Sequence, residues 1–270
     1  MSRIYSMAYL TSAPLPAPEC ISLAAKLGYH AVGIRILPAA PGGDVQDLIA
    51  DKAALRETVA RMQATGVSVF DVEIIRINEH FALENYKAFL EVCGALSAKA
   101  ILVGGDDRNE ARLTENYARF CAAAAPYGLT ADLEFMPWSG CRDAQAAARI
   151  ASASGQANAG VLVDTLHCAR SSTTLDDIAA IPRELLHYAQ VCDAPGAMPV
   201  TFEELIYTAR THRLLPGEGT IRIRDVFDRL PATIPVSVEV PSIALKAEIG
   251  VKEFARRALE ASRKVLEGTA

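Results

Sequence analysis

Nothing in this 270-residue chain approaches about 18 uninterrupted apolar residues, so no membrane-spanning helix is expected. Positive charge is not in excess: 27 Lys and Arg stand against 32 Asp and Glu, for a net charge of −5. Nucleic-acid binders usually carry a basic patch or stripe, so that partner class is not expected. No C-x-x-C pair occurs among Cys20, Cys93, Cys121, Cys141, Cys168 and Cys192. A chain this long and core-rich does not need disulfide staples, and free thiols in a reducing cytoplasm are expected. The opening MSRIYSMAYL lacks an apolar region followed by a cleavage site, so no secretion signal is expected. No Pro/Ser/Gly-rich linker or charge run interrupts the chain, and residues 1–270 are expected to form one domain. Also missing is a Gly-rich phosphate fingerprint after the first apolar run, where the chain reads TSAPLPAP. That counts against an open doubly wound sheet.

What is present is an alternation. Apolar, often β-branched runs fall at 4–8, 31–36, 67–75, 99–103, 129–134, 160–164, 186–191 and 235–239. Near-continuous apolar runs suit parallel strands covered on both faces. Between them lie segments of helical period such as DKAALRETVARMQATG and LTENYARFCAAAAPYG, several closing on Gly28, Gly66 or Gly128. At 51% hydrophobic residues the chain can bury a large core. Eight strand–helix units in this length predict a (β/α)8 TIM barrel. The last interval is longer and holds a helical piece near 201–211, then LLPGEG.

Four polar residues close four successive strands: Glu134, Asp164, Gln190 and Glu239. In a parallel barrel, ligands bind at the C-terminal strand ends. Three carboxylates and an amide oxygen on neighbouring strands form an oxygen-rich set suited to Mn²⁺ or Mg²⁺. Zn²⁺ sites more often use His or Cys, so Zn²⁺ or Co²⁺ is the alternative ion. His167, three residues after Asp164, can reach the same mouth to bind a hydroxyl or move a proton. Arg35, Arg76 and Arg213 stand near loop positions and could grip a carboxylate or phosphate. Glu73 is a candidate partner for either of the first two, and Glu218 in PGEG for a neighbouring arginine. Trp138, with Met136, is a candidate apolar wall.

LEFMPWS, VDTLH, HYAQVCDAP, LLPGEGTI and SVEVPS resemble, in order and spacing, the sugar phosphate isomerase/epimerase superfamily, also called xylose-isomerase-like barrels. The resemblance implies one divalent metal ion on Glu134, Asp164, Gln190 and Glu239. It implies that His167, of the D-x-x-H motif, contacts substrate. Gln190 followed by DAP, with the PGEG loop, looks most like metal-dependent 3-dehydroshikimate dehydratases, whose substrate-binding arginines would map to Arg76 and Arg213. Ketose 3-epimerases and inosose dehydratases are the other close relatives, although many epimerases have His where Gln190 stands. Where the family often reads V-E-I on strand two, this chain reads V-G-I, with Gly33 and then Arg35. One acid fewer and one base more suggest a more negative substrate. The branch of endonucleases with three zinc ions needs many His ligands, and this chain has five His.

The implied chemistry is proton removal next to a carbonyl, with Glu134 and Glu239 as the bases and His167 as a candidate acid. The expected function is a metal-dependent isomerase or epimerase of a sugar, sugar phosphate or sugar-acid. A dehydratase of a cyclic hydroxy-ketone such as 3-dehydroshikimate or an inosose is the alternative, and a barrel that binds a ligand without catalysis is a third. The partner expected is a small, polyhydroxylated, anionic substrate, with no nucleic acid and no membrane. The family suggests a homodimer.

Overall fold

The structure, a computed structural model, describes residues 3–39 and 42–268. Eight strands form it: β1 (Tyr5–Met7), β2 (Ala31–Arg35), β3 (Ser68–Ile77), β4 (Ala100–Gly105), β5 (Thr130–Glu134), β6 (Ala159–Asp164), β7 (Ala189–Val191) and β8 (Val236–Val238). Each pairs in parallel with the next, and β8 returns to β1, closing a barrel. The expected barrel is therefore present. Helices such as Ala17–Leu27, Lys52–Thr65 and Glu110–Ala124 cover the outside. Gly28, Gly66 and Gly128 follow helical turns at φ 80°, 75° and 72°, conformations that side chains with a Cβ avoid.

Strand alternation produces two cores. Val161, Val163, Leu133, Val191 and Val238 point outward and join the main core beneath the helices. Leu102, Leu162 and Tyr188 point inward and form a separate small cluster. Their inward neighbours are polar: Ser6, Asp71, Asp132 and Ser237 are all buried. This barrel therefore has an unusually hydrophilic interior below its mouth, where TIM barrels are mostly filled by branched apolar residues.

Three boundaries differ slightly from the sequence expectation, and each moves a site residue. β3 runs on to Ile77, so Arg76 lies within the strand instead of after it. Gln190 is the middle residue of β7, and Glu239 follows β8 by one residue. Barrel stagger compensates, since Asp164 pairs in register with Gln190. Among the described residues, no helix is long and apolar enough to cross a membrane. All six cysteines are buried free thiols.

Candidate functional site

Asp164 ends β6 and caps the short helix Thr165–Arg170, its Oδ1 accepting from Leu166 N at 2.7 Å. That cap turns the chain sharply and carries His167 over the mouth. His167 Nε2 lies 3.6 Å from Glu134 Oε1 and 3.9 Å from Asp164 Oδ2. Donor atoms of Glu134, Asp164 and His167 all fall within 4.8 Å of one another. Gln190 Nε2 donates to Glu239 Oε1 at 3.1 Å. The other amide atom, Gln190 Oε1, is buried and has no hydrogen-bond partner among the described residues. The four expected ligands are thus brought together, each at most 4% exposed.

Electrostatics explain what the site requires. Burial, then the charges of Glu239 and Asp164, push the Glu134 carboxyl well above its usual range. Glu239 is pushed up to about 8, mainly by burial, with Arg213 opposing. Burial would also raise Asp164, but the Arg213 guanidinium beside it outweighs burial and holds that carboxyl low. Burial lowers His167 to about 4, so the imidazole is neutral at neutral pH. Glu73 is paired by Arg35, whereas the three carboxylates Glu134, Asp164 and Glu239 share the one guanidinium of Arg213. Fully ionised, that set would carry two unbalanced negative charges, which is why Glu134 and Glu239 hold protons so tightly. An orphaned amide oxygen and two surplus carboxylate charges fit a divalent, oxygen-preferring cation. Glu134, Asp164, Gln190 and Glu239 would hold it.

Arg213, expected to bind substrate, lines the mouth cavity and is engaged there by two carboxylates. Its Nη1 donates to Asp164 Oδ2 at 2.6 Å, its Nη2 reaches Glu239 Oε2 at 2.9 Å, and its Nε donates to Ala209 O at 2.8 Å. It is a buried fork that spaces the carboxylates of Asp164 and Glu239. Each of those oxygens keeps a further lone pair for a cation.

Arg35 and Glu73 pair at 2.5 Å, and Arg35 also stacks over Tyr9 with its guanidinium carbon 4.5 Å from the ring centre. Arg76 pairs with Asp106 at 2.9 Å. All three arginines, with Glu73, line a cavity of about 300 Å³ at the mouth. Trp138 also lines it and meets His167 edge-on, ring centres 5.2 Å apart. Glu218 is not brought to the mouth. It is exposed and lines a separate groove with Arg257 and Lys264. The reason is Asp193, whose carboxylate accepts from Gly217 N and Ile221 N and ties the PGEG loop down. A Cβ on Gly219 would lie 2.2 Å from Ala194 O, so this glycine serves close packing.

Gly33 has a local cause too. A Cβ there would stand 2.7 Å from Asp71 Oδ2. Asp71 of β3 thus occupies the part of the interior that a side chain at position 33 would enter. Two further mouth residues escaped sequence reasoning. Arg210 lines the cavity from the last turn of the helix Phe202–Thr211, and a basic residue closing the helical piece near 201–211 was the available signal. Tyr188 lies one layer down, its hydroxyl buried and without a partner among the described residues.

Fold and site together define a (β/α)8 barrel with a carboxylate-rich, cation-seeking mouth. The model of the xylose isomerase-like TIM barrel family matches residues 21–265, and the chain belongs to that family. Among solved structures, it resembles the IolI protein crystallised with a zinc atom (16% identity, 98% of each chain, TM-score 0.82). It also resembles the probable 3-DHS dehydratase AsbF from Bacillus anthracis (13% identity, 96% of this chain and 98% of that one, TM-score 0.76). A third is D-allulose 3-epimerase from Methylomonas sp. in complex with D-allulose (16% identity, 98% of each chain, TM-score 0.70). At these identities the likeness establishes the fold. No curated protein matches the chain.

Proposed function

We propose that this protein is a divalent-metal-dependent isomerase or epimerase of a sugar, sugar phosphate or sugar-acid, acting by proton transfer next to a carbonyl. The observation that carries this reading is the buried cluster of Glu134, Asp164, Gln190 and Glu239, with its orphaned Gln190 Oε1 and two unbalanced negative charges. A cation held there, Mn²⁺ or Mg²⁺ on the donor chemistry, with Zn²⁺ or Co²⁺ as alternatives, supplies polarisation of the substrate carbonyl. Removing one such preorganised stabiliser typically costs about 3–4 kcal/mol of barrier.

The chain's own groups do the rest. Glu134 stands on β5 and Glu239 beyond β8, with β6 and β7 between them, so the two carboxylates would reach a bound substrate from the two ends of the ligand set. One takes the proton from the carbon beside the carbonyl, leaving the electron pair on the carbonyl oxygen. The other returns a proton on the opposite face to complete epimerisation. Return to the neighbouring carbon gives isomerisation. His167, neutral and 3.6 Å from Glu134, offers a hydrogen bond to a substrate hydroxyl. Trp138 beside it closes off water.

The dehydratase reading is favoured by one observation, the arginine-lined wall of the cavity, which suits a carboxylate-bearing ketone. There, after the same first step, a β-hydroxyl leaves as water with a proton from the site. The two readings separate in heavy water on a panel of ketoses, sugar acids and cyclic hydroxy-ketones. Deuterium at the carbon next to the carbonyl without loss of water supports isomerisation or epimerisation. A new ultraviolet-absorbing conjugated product overturns it in favour of the dehydratase.

A further inference from the structure

The mouth has two walls of different charge. On the metal-ligand side, the three carboxylates Glu134, Asp164 and Glu239 face Arg213, and a divalent cation would bring that set to neutrality. On the other side, Arg35 is paired with Glu73 and Arg76 with Asp106. Arg210 is the exception. It lines the same cavity from the helix Phe202–Thr211 and has no ion pair or hydrogen bond among the described residues. Asp44 shares an adjoining hollow with Arg210 but does not pair with it. A capping box at Thr201 and Glu204 starts this helix, and the Arg213 anchor follows its end, so Arg210 is presented by a fixed element. Partial burial, then the nearby charges of Arg76 and Arg35, lower the proton affinity of Arg210. Three like charges have thus been gathered on one wall, with two acids to balance them.

We infer that Arg210, with Arg35 and Arg76 beside it, forms an anion subsite that accepts a single carboxylate of the substrate. The inference rests on the proposed metal-dependent reading of the mouth and narrows its substrate to a hydroxylated monocarboxylate. The charge count selects the class. With the cation bound, the metal side is neutral and the two paired arginines are neutral, which leaves one positive charge, that of Arg210. A monoanion balances it. A phosphate dianion would leave one negative charge uncompensated, and a neutral sugar would leave the guanidinium of Arg210, which is exposed at the rim, facing only solvent. A guanidinium also meets a planar carboxylate by two parallel N–H donors, which fixes orientation as well as charge.

The test is calorimetric binding to Mn²⁺-supplemented protein near neutral pH, with D-gluconate as monoanion, D-glucose 6-phosphate as dianion and D-sorbitol as neutral probe. Gluconate is expected to bind at least tenfold more tightly than either other probe. Arg210→Ala should weaken gluconate binding by about ten- to a hundredfold, the range of a charge-assisted hydrogen bond. Sorbitol binding and Mn²⁺ content should stay as in the wild type, and Arg210→Lys should recover part of the loss. If Mn²⁺ is taken up but gluconate is not preferred, or Arg210→Ala keeps the preference, the subsite is overturned and the proposed function stands. If no Mn²⁺ is taken up, the proposed function itself fails, and the subsite with it.

Discussion

Replacing Arg213 by Met keeps an unbranched stem of similar length and removes only the charged fork. In the native chain that fork is 3% exposed and reaches Asp164 at 2.6 Å and Glu239 at 2.9 Å. Removing one partner of a buried ion pair typically costs about 3–5 kcal/mol, because the other charge is left uncompensated. Here two carboxylates lose their partner, and Glu134 already crowds them, so the upper half of that range is expected in metal-free protein. For a chain of this size about 2 °C of Tm follows each kcal/mol, giving a fall of roughly 8–10 °C. A divalent cation at the same carboxylates supplies the missing positive charge. Saturating Mn²⁺ should therefore raise the variant's Tm more than the wild type's and close at least half of the gap. Paired thermal melts with chelator and with Mn²⁺ measure this directly. A fall below about 2 °C in chelator, or a gap that Mn²⁺ leaves unchanged, would refute the reading of Arg213 and the cation as partners of one carboxylate set.

Further outcomes follow from other residues. Glu239→Gln removes a base and a ligand charge with little change of shape. Turnover should fall by about a hundredfold or more while the circular dichroism spectrum is kept, and wild-type activity would show that the site is misassigned. Asp71 is raised from 3.8 to about 7, first by burial and then by Glu73. The folded carboxyl therefore holds a proton that the unfolded chain releases, and its contribution is lost as pH rises from about 4 through 7. Asp71→Asn should thus gain stability relative to wild type at pH 8, by at most roughly 4 kcal/mol, and show no gain near pH 4. Urea melts at the two pH values check the sign. Gly33→Ala places a methyl against the Asp71 carboxylate and should cost about 1–3 kcal/mol. The same substitution in an Asp71→Ser background should cost much less, and equal costs would break the proposed exchange of Gly33 for space.

The barrel was legible because the outward faces of its strands, Val161, Val163, Val191 and Val238 among them, are apolar and recur between helical segments. The buried strand-end set was legible because Glu134, Asp164, Gln190 and Glu239 each close such a run. Their place at the C-terminal strand ends and their oxygen donors suggested a common purpose, to which the resemblance added, and barrel stagger, through the Asp164–Gln190 register, brought them level. What sequence could not carry was the pairing of the arginines. Arg213 and Arg210 stand three residues apart on one segment, yet the first is buried between two carboxylates and the second lines the mouth without an ion pair among the described residues. That division depends on where β6 and β8 place their acids. Glu218 was expected to partner an arginine at the mouth from a loop with two glycines, but Asp193 pins that loop so that Glu218 faces the outer groove. The polar layer of Asp71 and Tyr188 was hidden because inward and outward residues of a doubly covered strand read alike.

The central claim is that Glu134, Asp164, Gln190 and Glu239 hold one divalent ion. Elemental analysis of purified protein, supplemented with Mn²⁺ and then freed of loosely held ions, tests it most directly, with Glu134→Gln/Asp164→Asn alongside. One metal ion per wild-type chain and almost none in the folded double variant is the predicted result. A wild-type chain without stoichiometric metal, or a double variant that keeps it, would contradict the account.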